Sequence, residues 1–217
     1  MSDSEIPGGE DFDRFARRVN ELKDALSQKK PSYLAAATSA EFRPRDSDEG
    51  EFSLLLWGNE VCLSYPGFSA QDRRTGNLLS QMDLVLLLYY FNTSDGTAKT
   101  GRWISFSELP DGKFYNQAFQ GYTGQRLALS FRDDMATFEH AATSLGGTPF
   151  PLGSASFTFK VLPLISLLVV FWQGDEDFPS SFQILFDASS GHYLPTDAYA
   201  IIGSMLTSRL IKAKNQS

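Results

Sequence analysis

Two stretches of the sequence gather side chains that could do chemistry. The first is Trp172-Gln173-Gly174-Asp175-Glu176-Asp177-Phe178-Pro179, with Asp187 and His192 following. Oxygen-rich clusters of this kind can hold a hard cation, which would polarise a substrate or activate water. Neighbouring carboxylates could instead divide into acid and base if burial raised one pKa. The spacing matches no EF-hand loop, and Gly174–Pro179 reads equally as a tight inter-strand turn whose acids face water. Asp187 is then expected to accept bonds from its own loop, Ala188–Gly191. Two antiparallel strands joined by this turn put Asp175, Glu176 and Asp177 at one end and Asp187 at the far end of its strand. Direct co-ligation of one ion by both groups is therefore not expected, and no metal site is firmly assigned.

The second stretch is aromatic: Gly101-Arg102-Trp103-Ile104-Ser105-Phe106, Glu108-Leu109-Pro110, Phe114-Tyr115 and Phe119-Gln120-Gly121-Tyr122. Aromatic rings with an arginine and glycines can line a cleft for a flat, partly apolar ligand. Arg102, Trp103, Tyr115, Tyr122 and Trp172 are the binding candidates. The competing reading is a satellite core whose Tyr and Trp polar atoms reach backbone partners. Nucleophilic catalysis is poorly served. There is no Gly-x-Ser-x-Gly elbow, and Asp187, Ser189, Ser190 and His192 are too close in sequence to be expected to arrange as a relay.

Composition sets wider limits. The chain has 217 residues, 42% apolar and 13% aromatic, enough for a sizeable core and too much for wholesale disorder. A net charge of −7 disfavours nucleic acid and anionic membrane surfaces as partners. The single cysteine, Cys62, excludes an internal disulfide, a four-thiolate iron–sulfur site and a Cys-rich zinc site. Within a strand it is expected to be a small buried hydrophobe. Two histidines exclude a His-rich metal centre, and no cofactor is assigned. The polar N-terminus does not read as a secretory signal, and the apolar run Val161–Trp172 falls short of the roughly 20 residues that cross a bilayer. A cytoplasmic protein is the expectation.

The elements that must position these residues follow from periodicity. Residues 1–11 read as a frayed tail, and 12–217 as one domain. Phe12, Phe15, Ala16, Val19, Leu22 and Leu26 recur at helical spacing, and Pro31 opens a second short helix through Ala37. Pro44–Glu51 and Pro66–Gly76 read as loops. Phe52–Trp57 and Glu60–Tyr65 form a hairpin about Gly58-Asn59. Met82–Phe91, apolar all round, predicts a buried helix. Short helices are expected after Gly112, over Leu127–Phe131 and over Ala136–Leu145, the last stopped by Gly146-Gly147. Strands follow at Ser156–Val161, Ile165–Trp172 and Phe182–Phe186. Thr196 is expected to cap a last helix with Ala198, Ile201, Ile202, Met205, Leu206 and Leu210 facing inward. The sum is an α+β fold, with a mostly antiparallel sheet of about five strands and helices covering its faces. Neither a βαβ rhythm nor a Gly-rich phosphate loop is present.

Two blocks, TGRWISFSELPDGKFYNQAFQGYTG over 100–124 and WQGDEDFPSSFQILFDASSGHYLPTDA over 172–198, carry a resemblance to a known family. They resemble a prokaryotic domain family of unknown function, common in anaerobes, with a similar span from about 52 to 210. Members are sometimes fused to, or encoded beside, a four-cysteine iron–sulfur domain of the kind found in corrinoid proteins of one-carbon metabolism. With one cysteine the sequence is not expected to include that domain, and its N-terminal helices are expected to occupy the place. The resemblance implies a role beside redox or corrinoid enzymes, with any iron–sulfur or corrinoid centre carried by a protein partner. Three readings stand: a non-enzymatic binding or accessory module, a metal-assisted hydrolase or transferase using the acid cluster, and a structural subunit without a small-molecule site.

Overall fold

A computed structural model of the chain describes residues 9–46 and 49–216. The tail expected at the N-terminus lies outside these up to residue 8, whereas Gly9 already begins a helix. That helix, α1 (Gly9–Ser27), buries Leu22 and Leu26; the side chains of Phe12, Phe15 and Ala16 lie outside the described part. Then come α2 (Pro31–Thr38), β1 (Glu41–Pro44), β2 (Gly50–Leu56), β3 (Asn59–Tyr65) and β4 (Ala70–Asp72). The buried helix α3 (Gln81–Thr93) leads to β5 (Trp103–Ser105), α4 (Gly112–Tyr122), α5 (Gly124–Phe131) and α6 (Met135–Ser144). The chain finishes with β6 (Thr148–Pro149), β7 (Ala155–Leu162), β8 (Ile165–Trp172), β9 (Ser181–Asp187) and α7 (Thr196–Lys214).

The class is α+β and every strand pairing is antiparallel, as expected. The strands number nine among the described residues and divide between two sheets, ordered β1-β2-β3-β4 and β5-β9-β8-β7-β6. The early hairpin and the late meander thus each recruit short edge strands. The sheets meet where the Trp57 amide donates to the Val161 carbonyl at 2.8 Å. The hairpin turn is Trp57-Gly58, one residue earlier than Gly58-Asn59, with Leu56 paired to Asn59. Both turn residues have positive φ, 52° and 80°, the conformation that matches strand twist and that glycine takes without strain.

Burial explains the composition of the central elements. β8 sits inside its sheet, and Leu167–Phe171 are buried on both faces, which is why that run is continuously apolar. In α3, Val85–Leu88, Tyr90 and Phe91 are buried, so the helix is core. The Tyr90 hydroxyl donates to the Thr38 carbonyl at 2.7 Å and accepts from the Leu164 amide at 3.2 Å, tying the helix layer to the second sheet. Burial pushes its phenol pKa strongly upward.

Three expectations are corrected. Cys62 lies in β3 but is only half-buried, with the Arg73 guanidinium 3.2 Å from its sulfur, because it points away from the core face that Val61 and Leu63 supply. Thr196 is the first residue of α7 rather than its cap, and its hydroxyl bonds the Pro110 carbonyl at 2.5 Å. Ile201 is exposed and Met205 half-buried, so the inward stripe of α7 is carried by Ala198, Tyr199, Ile202, Leu206 and Leu210.

Candidate functional site

A cavity of about 720 Å³ opens between α4 and the start of α7. Its α4 wall is Tyr115, Ala118 and Tyr122, spaced to share one helix face. Phe106 lines the cavity as well, in the short 3-10 turn before α4, and Leu194, Pro195 and Ile201 supply the opposite wall. Asp111 and Asp197 are its ionisable side chains other than the two phenols, and both are exposed.

Ring stacking makes the floor rigid. Phe106 stacks on Phe119 with centroids 4.1 Å apart and planes 9° from parallel, and both rings contact Phe186 of β9. The aromatic middle is therefore core on one side and cavity wall on the other. Burial pushes the Tyr122 phenol pKa up, and among the described residues neither Tyr115 nor Tyr122 has a hydrogen-bond partner for its hydroxyl. Two hydrogen-bonding groups thus sit on a largely apolar surface, the usual composition of a small-molecule pocket of 300–1,000 Å³.

Of the binding candidates, the structure brings Tyr115 and Tyr122 together and leaves the other three elsewhere. Trp103 opens β5 and packs edge-on against Phe150, 5.9 Å between centroids. Arg102 is exposed beside it, its carbonyl accepting from the Ala188 amide. Trp172 ends β8 opposite Ser181, whereas Trp103 faces Asp187, so the two tryptophans mark opposite ends of β9, roughly 20 Å apart at the usual rise per residue.

The acids separate in the same way. Asp175, Glu176 and Asp177 are exposed, and the Asp175 carboxylate accepts from the Asp177 and Phe178 amides, both at 2.9 Å, closing the turn. Among the described residues no group of three or more His, Cys, Asp or Glu side chains is arranged to hold a metal. Asp187 is buried. One carboxylate oxygen accepts from the Thr100 amide (3.0 Å) and hydroxyl (2.8 Å) and from the Ser189 amide (2.9 Å) and hydroxyl (2.5 Å). The other accepts from the Gly101 amide at 2.7 Å. Burial alone would raise its pKa, but the Ser189 and Thr100 donors outweigh it and hold the group at about 2. Asp187 thus clamps the 100–101 loop to the end of β9, just before the Gly191–Pro195 segment that walls the cavity.

No relay forms around His192. Its Nδ1 lies 2.7 Å from the Asp95 carboxylate and 3.2 Å from the Thr97 hydroxyl, while Asp187 is taken up by its own five donors. Bonding from Thr97 and then His192 holds Asp95 at about 2.

The residues that sequence reasoning left out are Asp111, Ala118, Leu194, Pro195, Asp197, Ala200 and Ile201. Five of these seven come from the last helix and the segment before it, which meet α4 only in three dimensions.

Among the described residues no helix is long and apolar enough to cross a membrane. No curated protein and no solved structure matches the chain. A family model described as a domain of unknown function, DUF3786, matches residues 30–209, reaching further toward the N-terminus than the two motif blocks and taking in α2 and β1. The chain belongs to the DUF3786 family.

Proposed function

We propose that this chain is a non-enzymatic binding module that holds a flat, partly apolar small molecule in the cavity between α4 and α7. The observation that carries this reading is the pairing of a fixed aromatic floor with two unpartnered phenols across a largely apolar space of about 720 Å³. The ring of the ligand stacks against the Tyr115–Tyr122 face, and the phenols hydrogen-bond its polar edge. Asp111 and Asp197, with no basic side chain in the lining, favour a neutral or cationic ligand and repel phosphates. Such a module serves as an accessory to a protein partner carrying an iron–sulfur or corrinoid centre; the resemblance of the 100–124 and 172–198 blocks supports that part of the proposal.

A thermal-shift screen tests the reading. Wild-type protein is expected to melt higher with a corrinoid, another tetrapyrrole or a short-chain quinone. A ligand at 100 times its Kd adds about 2.7 kcal/mol, a shift of several degrees for a chain of this size. Ala118 is exposed on the α4 wall, so Ala118→Trp fills the cavity without disturbing the core and is expected to abolish the shift. No shift with any of the three classes would sink the proposal.

A further inference from the structure

The other half of α7 borders a smaller cavity of about 140 Å³, where the Trp57-Gly58 turn meets the end of α6 and β7. Its charged lining is Arg209 and Lys160, and no acidic side chain lines it, in a chain whose net charge is −7. The Arg209 guanidinium lies 4.3 Å from the Trp57 ring centroid. Stacking engages the face of that planar group and leaves its N–H edge unsatisfied.

Among the described residues no acceptor takes any Arg209 N–H, and no carboxylate pairs with Lys160. The carboxylate whose field reaches Arg209, that of Asp83, accepts from the Ser80 hydroxyl at 2.7 Å through one oxygen; its other oxygen is buried without a partner and makes no bond to Arg209. Arg209 is half-buried, and burial works against its charge by lowering its pKa. The Arg209 N–H groups still reach solvent, so they are free to donate to an acceptor, and the cavity is the space beside them for one.

We propose that this cavity binds a small tetrahedral oxyanion, phosphate or sulfate in size, between the Arg209 guanidinium and the Lys160 ammonium. Arg209 supplies a donor fork and Lys160 a mobile point charge, the two complementary ways of holding such a group. A cavity of about 140 Å³ takes one phosphate group, so the remainder of a phosphomonoester would lie in solvent. This site stands apart from the aromatic cavity at the other end of α7, and neither depends on the other being occupied.

Calorimetry at low ionic strength in a non-phosphate buffer tests it, with inorganic phosphate, sulfate, acetate and glycerol phosphate as titrants. Phosphate and sulfate are expected to give saturable one-site heats, and acetate a weaker one. Equal affinity for glycerol phosphate makes the free anion the source; tighter binding of the ester marks a phosphate-bearing molecule. Arg209→Gln should weaken phosphate by at least about thirtyfold, as for removal of a buried charge partner. Lys160 is exposed on a strand, so Lys160→Met keeps the fold and should weaken binding about fivefold, the upper range for an exposed ion pair. Flat traces with phosphate and sulfate, binding of acetate alone, or unchanged phosphate affinity in Lys160→Met would overturn the assignment.

Discussion

Asp187→Ala is expected to destabilise the protein by about 4 kcal/mol, because a buried carboxylate holding five donors is removed and the two buried Ser189 donors are left without a partner. Asp187→Asn separates charge from shape. The amide still fills the space, but one of its ends must now face amide or hydroxyl donors with a donor of its own. A smaller loss, about 2–3 kcal/mol, should follow. The pH dependence has a definite sign. The folded carboxyl titrates at about 2, below its ordinary value of 3.8, so its contribution is fully present above about pH 4 and is lost as pH falls toward 2. That contribution is about 2.5 kcal/mol, taking 1.36 kcal/mol per pKa unit. Urea unfolding between pH 2 and 6 should show this acid limb in wild type and a flatter one in Asp187→Asn. Identical limbs would mean that Asp187 is not the clamp.

The second large effect is Gly112→Ala. A Cβ on Gly112 would lie 1.9 Å from the Phe106 carbonyl oxygen, a backbone atom that cannot step aside as a flexible side chain would. The first turn of α4 must therefore shift away from the 3-10 turn that holds the stacked Phe106. A cost of about 3 kcal/mol is expected, at the upper end for overpacking. Gly121→Ala in the same helix is the control. Its Cβ would meet only the Gln125 side-chain oxygen at 4.0 Å, so helix propensity dominates and stability should rise by up to about 1 kcal/mol. Opposite signs in thermal or urea melts, with ligand binding lost in Gly112→Ala and kept in Gly121→Ala, check the packing of α4. Equal behaviour of the two variants would show that the Phe106 contact does not position the helix.

Much of the fold was legible because it is local. The period of α3, the apolar run of β8 and the alternation of Phe157, Phe159 and Val161 in β7 each report burial that the element's own neighbours decide. The strands that escaped are short and all at sheet edges: β1, β4, β5 and β6 have two to four residues each and no run long enough to alternate. Their existence depends on a partner strand already being in place. The hairpin turn falls one residue earlier than Gly58-Asn59: glycine's tolerance of positive φ marks Gly58 as the first turn residue, whereas the structure uses it as the second and asks positive φ of Trp57 as well.

The site was legible by half for the same reason. Tyr115 and Tyr122 share a helix face, and that spacing is written in the sequence. Trp103 and Trp172 were grouped with them by residue type, and β9 holds them apart at its two ends. Leu194, Pro195 and Ile201 carry no local mark of lining a cavity; Ile201 simply continues a helical stripe until the docking of α4 leaves it at the rim. The separation of Asp187 from the Asp175–Asp177 turn, by contrast, followed from strand geometry alone.

The measurement that bears most directly on the binding reading is an absorbance titration of the protein with hydroxocobalamin, a porphyrin and a short-chain quinone, run in parallel on wild type, Ala118→Trp and Leu129→Ser. Leu129 is exposed on α5, outside the aromatic cavity, and serves as the neutral control. At least one probe should give a saturable one-to-one isotherm with wild type and Leu129→Ser, weakened by about tenfold or more, over 1.4 kcal/mol, in Ala118→Trp. No saturation with any probe, or an isotherm that Ala118→Trp leaves unchanged, would contradict a ligand site between α4 and α7.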